Sequence, residues 1–309
     1  MDKISAVLNQ QRSIAVFPMV CADHGAHLLR LEFKEVAQNG KKLARVLQRC
    51  YELYGYDMVL VFSDPYVEAQ SMGCPVKLNP YPTLLGPASN NSIDRTQEII
   101  RAAEILKDKL DVPIFVSVKG PFTLAAFLGG IERFLKMILK NENEASQLLR
   151  DAQQNQLEYL ERILSVGVNI MIGDPLASSS VISPAVFAKH ALVGIKSIIE
   201  KSKAHGVLAG IHICGDVSPI LKHLDTSGAD ILSVENIDVQ TDTVRMGGVG
   251  TDTILNGDIR RIRSEVENAL RQKPIILSTS CDVPAQTNPE NIKTMLRIAS
   301  ECGNELRGI

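Results

Sequence analysis

Short apolar runs alternate along this chain with longer stretches in which apolar residues recur three and four positions apart. The first pattern is that of a buried strand, the second that of an amphipathic helix. Residues 14–21, Ile14 to Cys21, open the series as a first strand, and a helix follows over 34–54 with Val36, Leu43, Val46, Leu47, Cys50 and Leu53 mostly on one face. Further strands are predicted at 57–65, 112–118, 168–175, 206–214, 229–235 and 273–281, with a weaker seventh at 251–256. Helices are predicted at about 94–110, 121–139, 143–166, 184–204, 218–226, 259–272 and 289–302. Eight strand-helix units without a linker predict an α/β protein, one closed (β/α)8 TIM barrel forming a single domain over 1–309. An open doubly wound sheet has a similar local pattern. A long insertion at about 66–91, broken by Pro75, Pro80, Pro82 and Pro87, is a candidate lid or hairpin.

Composition narrows the partners. Hydrophobic residues make up 45%, charged residues 22%, and the formal net charge is -2, which gives no general attraction to nucleic acid or an anionic membrane. No apolar run approaches the roughly 20 residues needed to span a bilayer. Met1-Asp2-Lys3-Ile4 starts no basic segment followed by an apolar one, so a cytoplasmic location is expected. Six cysteines, at 21, 50, 74, 214, 281 and 302, are scattered through a long chain and read as reduced thiols or metal ligands, not disulfides.

In a barrel of this kind the C-terminal strand ends open on one mouth and carry the chemistry. Asp64 ends the second predicted strand, Asp174 the fourth, His212 and Cys214 the fifth, Glu235 the sixth, Asn256 the seventh and Cys281 the eighth. Any one acid there also suits a turn or a cap. Within Leu208 to Gly215, His212 and Cys214 share one face of a strand while Ile211 and Ile213 take the other. Imidazole and thiolate both suit zinc. Cys281 holds at the eighth strand the position that Cys214 holds at the fifth, and three such ligands leave a fourth tetrahedral position open, as in catalytic zinc. The spacing fits equally a core histidine beside two small buried thiols.

His212-Ile213-Cys214-Gly215-Asp216-Val217-Ser218-Pro219-Ile220-Leu221 resembles the zinc segment of the corrinoid-linked methyltransferases in the uroporphyrinogen decarboxylase superfamily, typified by methylcobalamin:coenzyme M methyltransferase. The likeness extends along the chain. Gly120 to Ala125 resembles the family's turn after the third strand, Asp174 to Ser178 the one after the fourth, and Cys281-Asp282-Val283-Pro284 with Thr287 to Ile292 its last metal-ligand segment. The resemblance implies His212, Cys214 and Cys281 as zinc ligands, with Glu235 as a reversible fourth ligand and Asp238 as its alternative. Asp174 joins Glu235 as a catalytic candidate, and Asp64, Lys119 and Asn256 are candidates for contacting the cofactor. The implied reaction moves a methyl group from methylcobalamin, carried on a small corrinoid protein, to a zinc-activated small thiol. Were that thiol coenzyme M, Lys119 and Arg260 are the cations placed to meet its sulfonate.

A corrinoid-binding motif of the form Asp-x-His-x-x-Gly is not found, since Asp23-His24-Gly25 lacks the spacing, and His24 and His27 read as local polar residues. Three rival readings remain open. One is uroporphyrinogen decarboxylase itself, whose Arg-Gln-Ala-Gly-Arg signature is replaced here by Phe17 to Gly25. A second is a binder of zinc or of a corrinoid protein that lacks turnover. The third keeps methyl transfer but passes the group to a folate or another acceptor.

Overall fold

The structure is a computed structural model that describes residues 1–89 and 92–305, with side chains to residue 302. Its strands are β1 (Ile14–Phe17), β2 (Val59–Val61), β3 (Val76–Lys77), β4 (Thr83–Leu84), β5 (Ile114–Lys119), β6 (Asn169–Gly173), β7 (Ala209–Ile213), β8 (Ile231–Val234), β9 (Val244–Val249) and β10 (Ile275–Thr279). Eight of them form one sheet in the order β1-β10-β9-β8-β7-β6-β5-β2, and every pair in it is parallel. Helices surround this sheet, so the chain is a single-domain (β/α)8 barrel. Parallel strands of a barrel are covered on both faces, which is why they read as apolar runs and not as alternating ones. In β8 and β10 every residue is buried.

The two ends of the sheet meet through Asp57. Its backbone N–H donates to Val16 O at 2.8 Å, and its Oδ2 accepts from Val16 N at 2.7 Å. Lys3 Nζ, 2.6 Å from Asp57 Oδ1, neutralises that carboxylate. One residue, through its backbone and its side chain, thus completes the closure where no ladder joins β1 to β2.

The seventh strand is not where the apolar pattern predicted it. Residues 251–256 form a helix, Thr251–Asn256, and the strand is β9, seven residues earlier at its start. Gly247 and Gly248 hide the strand in the sequence, yet both are needed. They sit at φ +149° and +125°, and a Cβ would lie 2.6 Å from Val234 O at the first and 2.5 Å from Ala269 Cβ at the second. The helix is anchored by Glu265, which accepts from Gly250 N at 2.8 Å and from Thr253 Oγ1 at 2.8 Å.

The predicted helix at 121–139 is two helices, Pro121–Gly129 and Ile131–Lys140, parted at Gly130 with φ +81°. That at 34–54 likewise divides into Phe33–Ala37 and Gly40–Tyr54. Within 66–91 the chain makes a short helix, Val67–Ser71, and an antiparallel hairpin of β3 and β4, while Asn90 and Asn91 lie outside the described residues. Among the described residues no helix is long and apolar enough to cross a membrane.

Candidate metal centre

Neighbouring strands bring the site together. His212 lies in β7 beside Ser233 of β8 and Gly173 of β6 in register. Its Nδ1 is 2.9 Å from Ser233 Oγ, which leaves Nε2 to face the thiols. Cys214 follows directly after β7, and Gly215 at φ +78° turns the chain away under Ser178 and Ser180, whose hydroxyls stand 2.8 and 2.7 Å from where a Cβ would be. Cys281 lies two residues beyond β10. Cys214 Sγ is 3.2 Å from His212 Nε2 and 3.8 Å from Cys281 Sγ, and Cys281 Sγ is 3.7 Å from His212 Nε2. Among the described residues this is the one group of three or more His, Cys, Asp or Glu side chains whose donor atoms converge closely enough for a metal ion. All three are half-buried, so the cluster faces the barrel mouth.

The two thiols share their proton unequally. Cys214 is held below the ordinary thiol range, first by the hydrogen bond from Cys281, with burial and the charges of Glu235 and Asp282 opposing and that of Lys119 assisting. Cys281 is pushed far up, first by the same contact with Cys214 and then by burial. Its Sγ also reaches Asp282 Oδ1 at 3.0 Å. A soft, partly anionic donor set of this kind suits a cation.

Around the cluster, the residues predicted for the mouth take different roles. Glu235 is exposed just beyond β8; its charge reaches Cys214, but its carboxylate is not among the converging donors. Asp238 faces the outer helix Ile259–Leu270, where it accepts from Asn268 Nδ2 at 3.2 Å and from Gln272 Nε2 at 2.9 Å. Asp174 is fully buried and caps the helix Pro121–Gly129, its Oδ1 accepting from Thr123 N at 2.9 Å and Thr123 Oγ1 at 2.5 Å. Its Oδ2 has no partner, and burial raises the carboxyl to about 6.

Asp64, expected to contact a ligand, has both oxygens committed to Arg95, at 2.6 and 3.0 Å, with the pair sealed from solvent. Ser63 Oγ and Tyr66 N donate to the same carboxylate, and Gln70 Oε1 takes Arg95 Nε at 2.6 Å. Lys119 is buried at the end of β5, its Nζ 5.8 Å from the centre of the Phe62 ring and within electrostatic reach of Glu68, Asp174 and Cys214. Asn256, expected at a strand end, is instead exposed at the C-terminus of the helix Thr251–Asn256. Arg260 is exposed in the first turn of an outer helix. His24 is buried with Nε2 2.8 Å from Tyr54 Oη, and His27 is exposed.

Beside the cluster lies a cleft of about 640 Å³ between the loops after β1, β2 and β10 and the hairpin tip. Asp282, the neighbour of Cys281, lines it together with Asp23, Glu32, Phe33, Phe62 and Tyr81. Asp23 is raised to about 6 by burial and by the negative charge of Asp282. Of the acids lining this cleft, sequence reasoning singled out Asp64 alone, and it did not single out Ser233. Ser233 was open to detection, since strand parity puts it two residues before Glu235 on the same face. The pairing of Asp23 with Asp282 joins opposite ends of the chain and had no such signal.

A methylcobamide:CoM methyltransferase of Methanosarcina barkeri is 28% identical over 299 residues, 86% of each chain. A uroporphyrinogen decarboxylase of Chloroherpeton thalassium is 25% identical over 308 residues, covering 88% of this chain and 87% of that protein. In three dimensions the fold matches that of a methyltransferase from Methanosarcina mazei with a TM-score of 0.85, at 24% identity and over 96% of both chains. The profile of the uroporphyrinogen decarboxylase family (URO-D) matches residues 16–302, and the chain therefore belongs to that family.

Proposed function

We propose that this protein is a zinc-dependent methyltransferase that moves a methyl group from a methylated corrinoid to a thiol. The observation that carries the reading is the triangle formed by His212 Nε2, Cys214 Sγ and Cys281 Sγ. Tetrahedral zinc with bonds of about 2.3 Å to sulfur and about 2.0 Å to nitrogen requires sulfur–sulfur edges of about 3.8 Å and sulfur–nitrogen edges of about 3.5 Å. The edges here are 3.8, 3.2 and 3.7 Å. These edges, close to the tetrahedral values, support reading the three side chains as metal ligands. The methylcobamide:CoM methyltransferase similarity supports the corrinoid donor.

When bound, zinc supplies the positive charge that keeps a coordinating thiol deprotonated at neutral pH and still nucleophilic. The residues of the chain provide the frame. Ser233 fixes the ring of His212 so that Nε2 faces the centre, and Gly215 turns the backbone so that Cys214 ends at the mouth. Glu235, exposed and with its charge reaching Cys214, is the candidate for a reversible fourth ligand, a role that requires its carboxylate to swing toward the cluster. A methylated corrinoid would supply the methyl group and keep the electron pair of the bond it gives up, while a thiol held at His212, Cys214 and Cys281 would gain the new carbon–sulfur bond and lose its proton to solvent. Alignment of sulfur, carbon and cobalt provides the remaining acceleration. A small corrinoid protein docked over the mouth delivers the methyl group.

Decarboxylation of uroporphyrinogen fits the mouth less well. A substrate with many carboxylates needs cationic walls, and among the described residues no lysine or arginine lines the cleft, while Arg95 is consumed by Asp64. The test is metal analysis of the full chain purified without chelator, joined to the cobalt absorbance change on mixing methylcobalamin with a thiol. One zinc per chain is expected, lost in His212→Ala, Cys214→Ala and Cys281→Ala together with methyl transfer. Absence of stoichiometric zinc from the unaltered protein would sink the mechanism, and turnover of uroporphyrinogen would favour the decarboxylase.

A further inference from the structure

We infer that Lys119 supplies the counter-charge for the acceptor's sulfur at the His212, Cys214 and Cys281 cluster; this rests on the thiol-acceptor reading above. Strand register places it there. Lys119 of β5 pairs with Gly173 of β6, Gly173 with His212 of β7, and His212 with Ser233 of β8, so these residues form one layer across the sheet. Register partners on parallel strands point to the same side. Gly173 has no side chain, and Lys119 takes up the space: Nζ stands 3.4 Å from where a Cβ of Gly173 would be. The ammonium is thereby carried one strand towards His212, so that about one strand spacing, roughly 4.8 Å, separates the position it covers from that of the candidate ligand.

The fold holds this residue by its backbone and leaves its charge free. Glu68 Oε1 accepts from Lys119 N at 2.7 Å, and Gln156 Nε2 donates to Lys119 O, both from buried side chains. Nζ itself makes no hydrogen bond or ion pair among the described residues, although Lys119 is only 5% exposed. Glu68 and Asp174 lie within its electrostatic reach, but neither comes to ion-pair distance. A buried ammonium without such a partner is costly, and an anion arriving at the cluster relieves that cost. Two thiolates and a neutral imidazole leave bound zinc with no net charge, and a third thiolate makes the centre anionic. Of the charges that reach Cys214, those of Glu235 and Asp282 are negative and that of Lys119 is positive.

Two thiols separate an effect on the sulfur from one on the tail: 2-mercaptoethanol, neutral beyond the sulfur, and 2-mercaptoethanesulfonate, anionic there. Each is titrated calorimetrically into the zinc-loaded full chain and into its Lys119→Met, Lys119→Arg and Gly173→Val variants, with zinc content and melting temperature measured alongside. Lys119→Met should keep its zinc and its melting temperature while weakening both thiols by a similar factor of about ten or more, the effect of one unit charge at short range in a partly buried site. Lys119→Arg should restore most of the affinity. Gly173→Val keeps the charge but fills the space that Nζ occupies, and should also weaken both thiols; it decides the matter if Lys119→Met fails to fold or to hold zinc. Weakening confined to the sulfonate would assign Lys119 to the tail, and unaltered affinities in variants that retain zinc would leave it without a role. Either result overturns this inference, while methyl transfer to a thiol keeps the methyltransferase reading standing. Binding of both thiols that depends on Lys119, without any transfer from methylcobalamin, supports the inference and overturns that reading, whereas failure of the unaltered protein to bind either thiol overturns both.

Discussion

Ser233 Oγ lies 2.9 Å from His212 Nδ1, so a hydroxyl on β8 holds the ring of a candidate metal ligand on β7. Parallel pairing makes this possible, because His212 and Ser233 are register partners and point to the same side of the sheet. Ser233→Ala should leave the fold intact while lowering zinc affinity by about 10- to 100-fold, the usual cost of removing such a partner. Competition against a chromophoric chelator measures it. An affinity equal to that of the unaltered protein would show that packing alone orients the ring.

Among the described residues Arg95 and Asp64 form the most enclosed ion pair, with side-chain exposures of 3% and 0%. Removing one partner strands the other charge where water does not reach. Arg95→Leu is expected to destabilise the protein by about 3–5 kcal/mol in urea unfolding, well beyond any exposed pair. A loss under about 1 kcal/mol would mean that Asp64 is readily rehydrated or protonated.

Asp174 links stability to pH. Its folded carboxyl titrates near 6, raised from 3.8 by burial, so between these values the native state holds a proton that the unfolded state has lost. The contribution is therefore fully present below 3.8 and is lost as pH rises through 6, on the order of 2–3 kcal/mol. Asp174→Asn should flatten this part of the stability profile, as followed by urea midpoints between pH 4 and 7. An unchanged profile in the variant would remove Asp174 as its source.

Gly248 packs its backbone against Ala269 with no room for a side chain. Gly248→Ala combines an unfavourable φ of +125° with a Cβ contact of 2.5 Å, and should destabilise by on the order of 3 kcal/mol. Thermal melting reports it. Little change would show that β9 shifts to make space.

Much of the architecture was legible in the chain itself, because parallel strands buried on both faces leave apolar runs, and amphipathic helices leave their three-and-four spacing between them. His212 and Cys214 were legible for the same reason: strand geometry places residues two apart on one face. Cys281 could be matched to them only by assuming that both strand ends open on one mouth. Other features depended on contacts between distant segments. Two glycines demanded by the backbone concealed β9, and the β-branched content of Thr251–Asn256 imitated a strand. Asp64 and Asp174 ended apolar runs as a ligand-binding acid would, but only packing decided that one meets Arg95 and the other caps a helix. The negative cleft likewise required tertiary structure, since Asp23 and Asp282 are brought together by β1 lying beside β10. Local sequence pattern determines which backbone forms and which way side chains alternate; which charges face each other, and which remain unpaired, is decided only when the barrel closes.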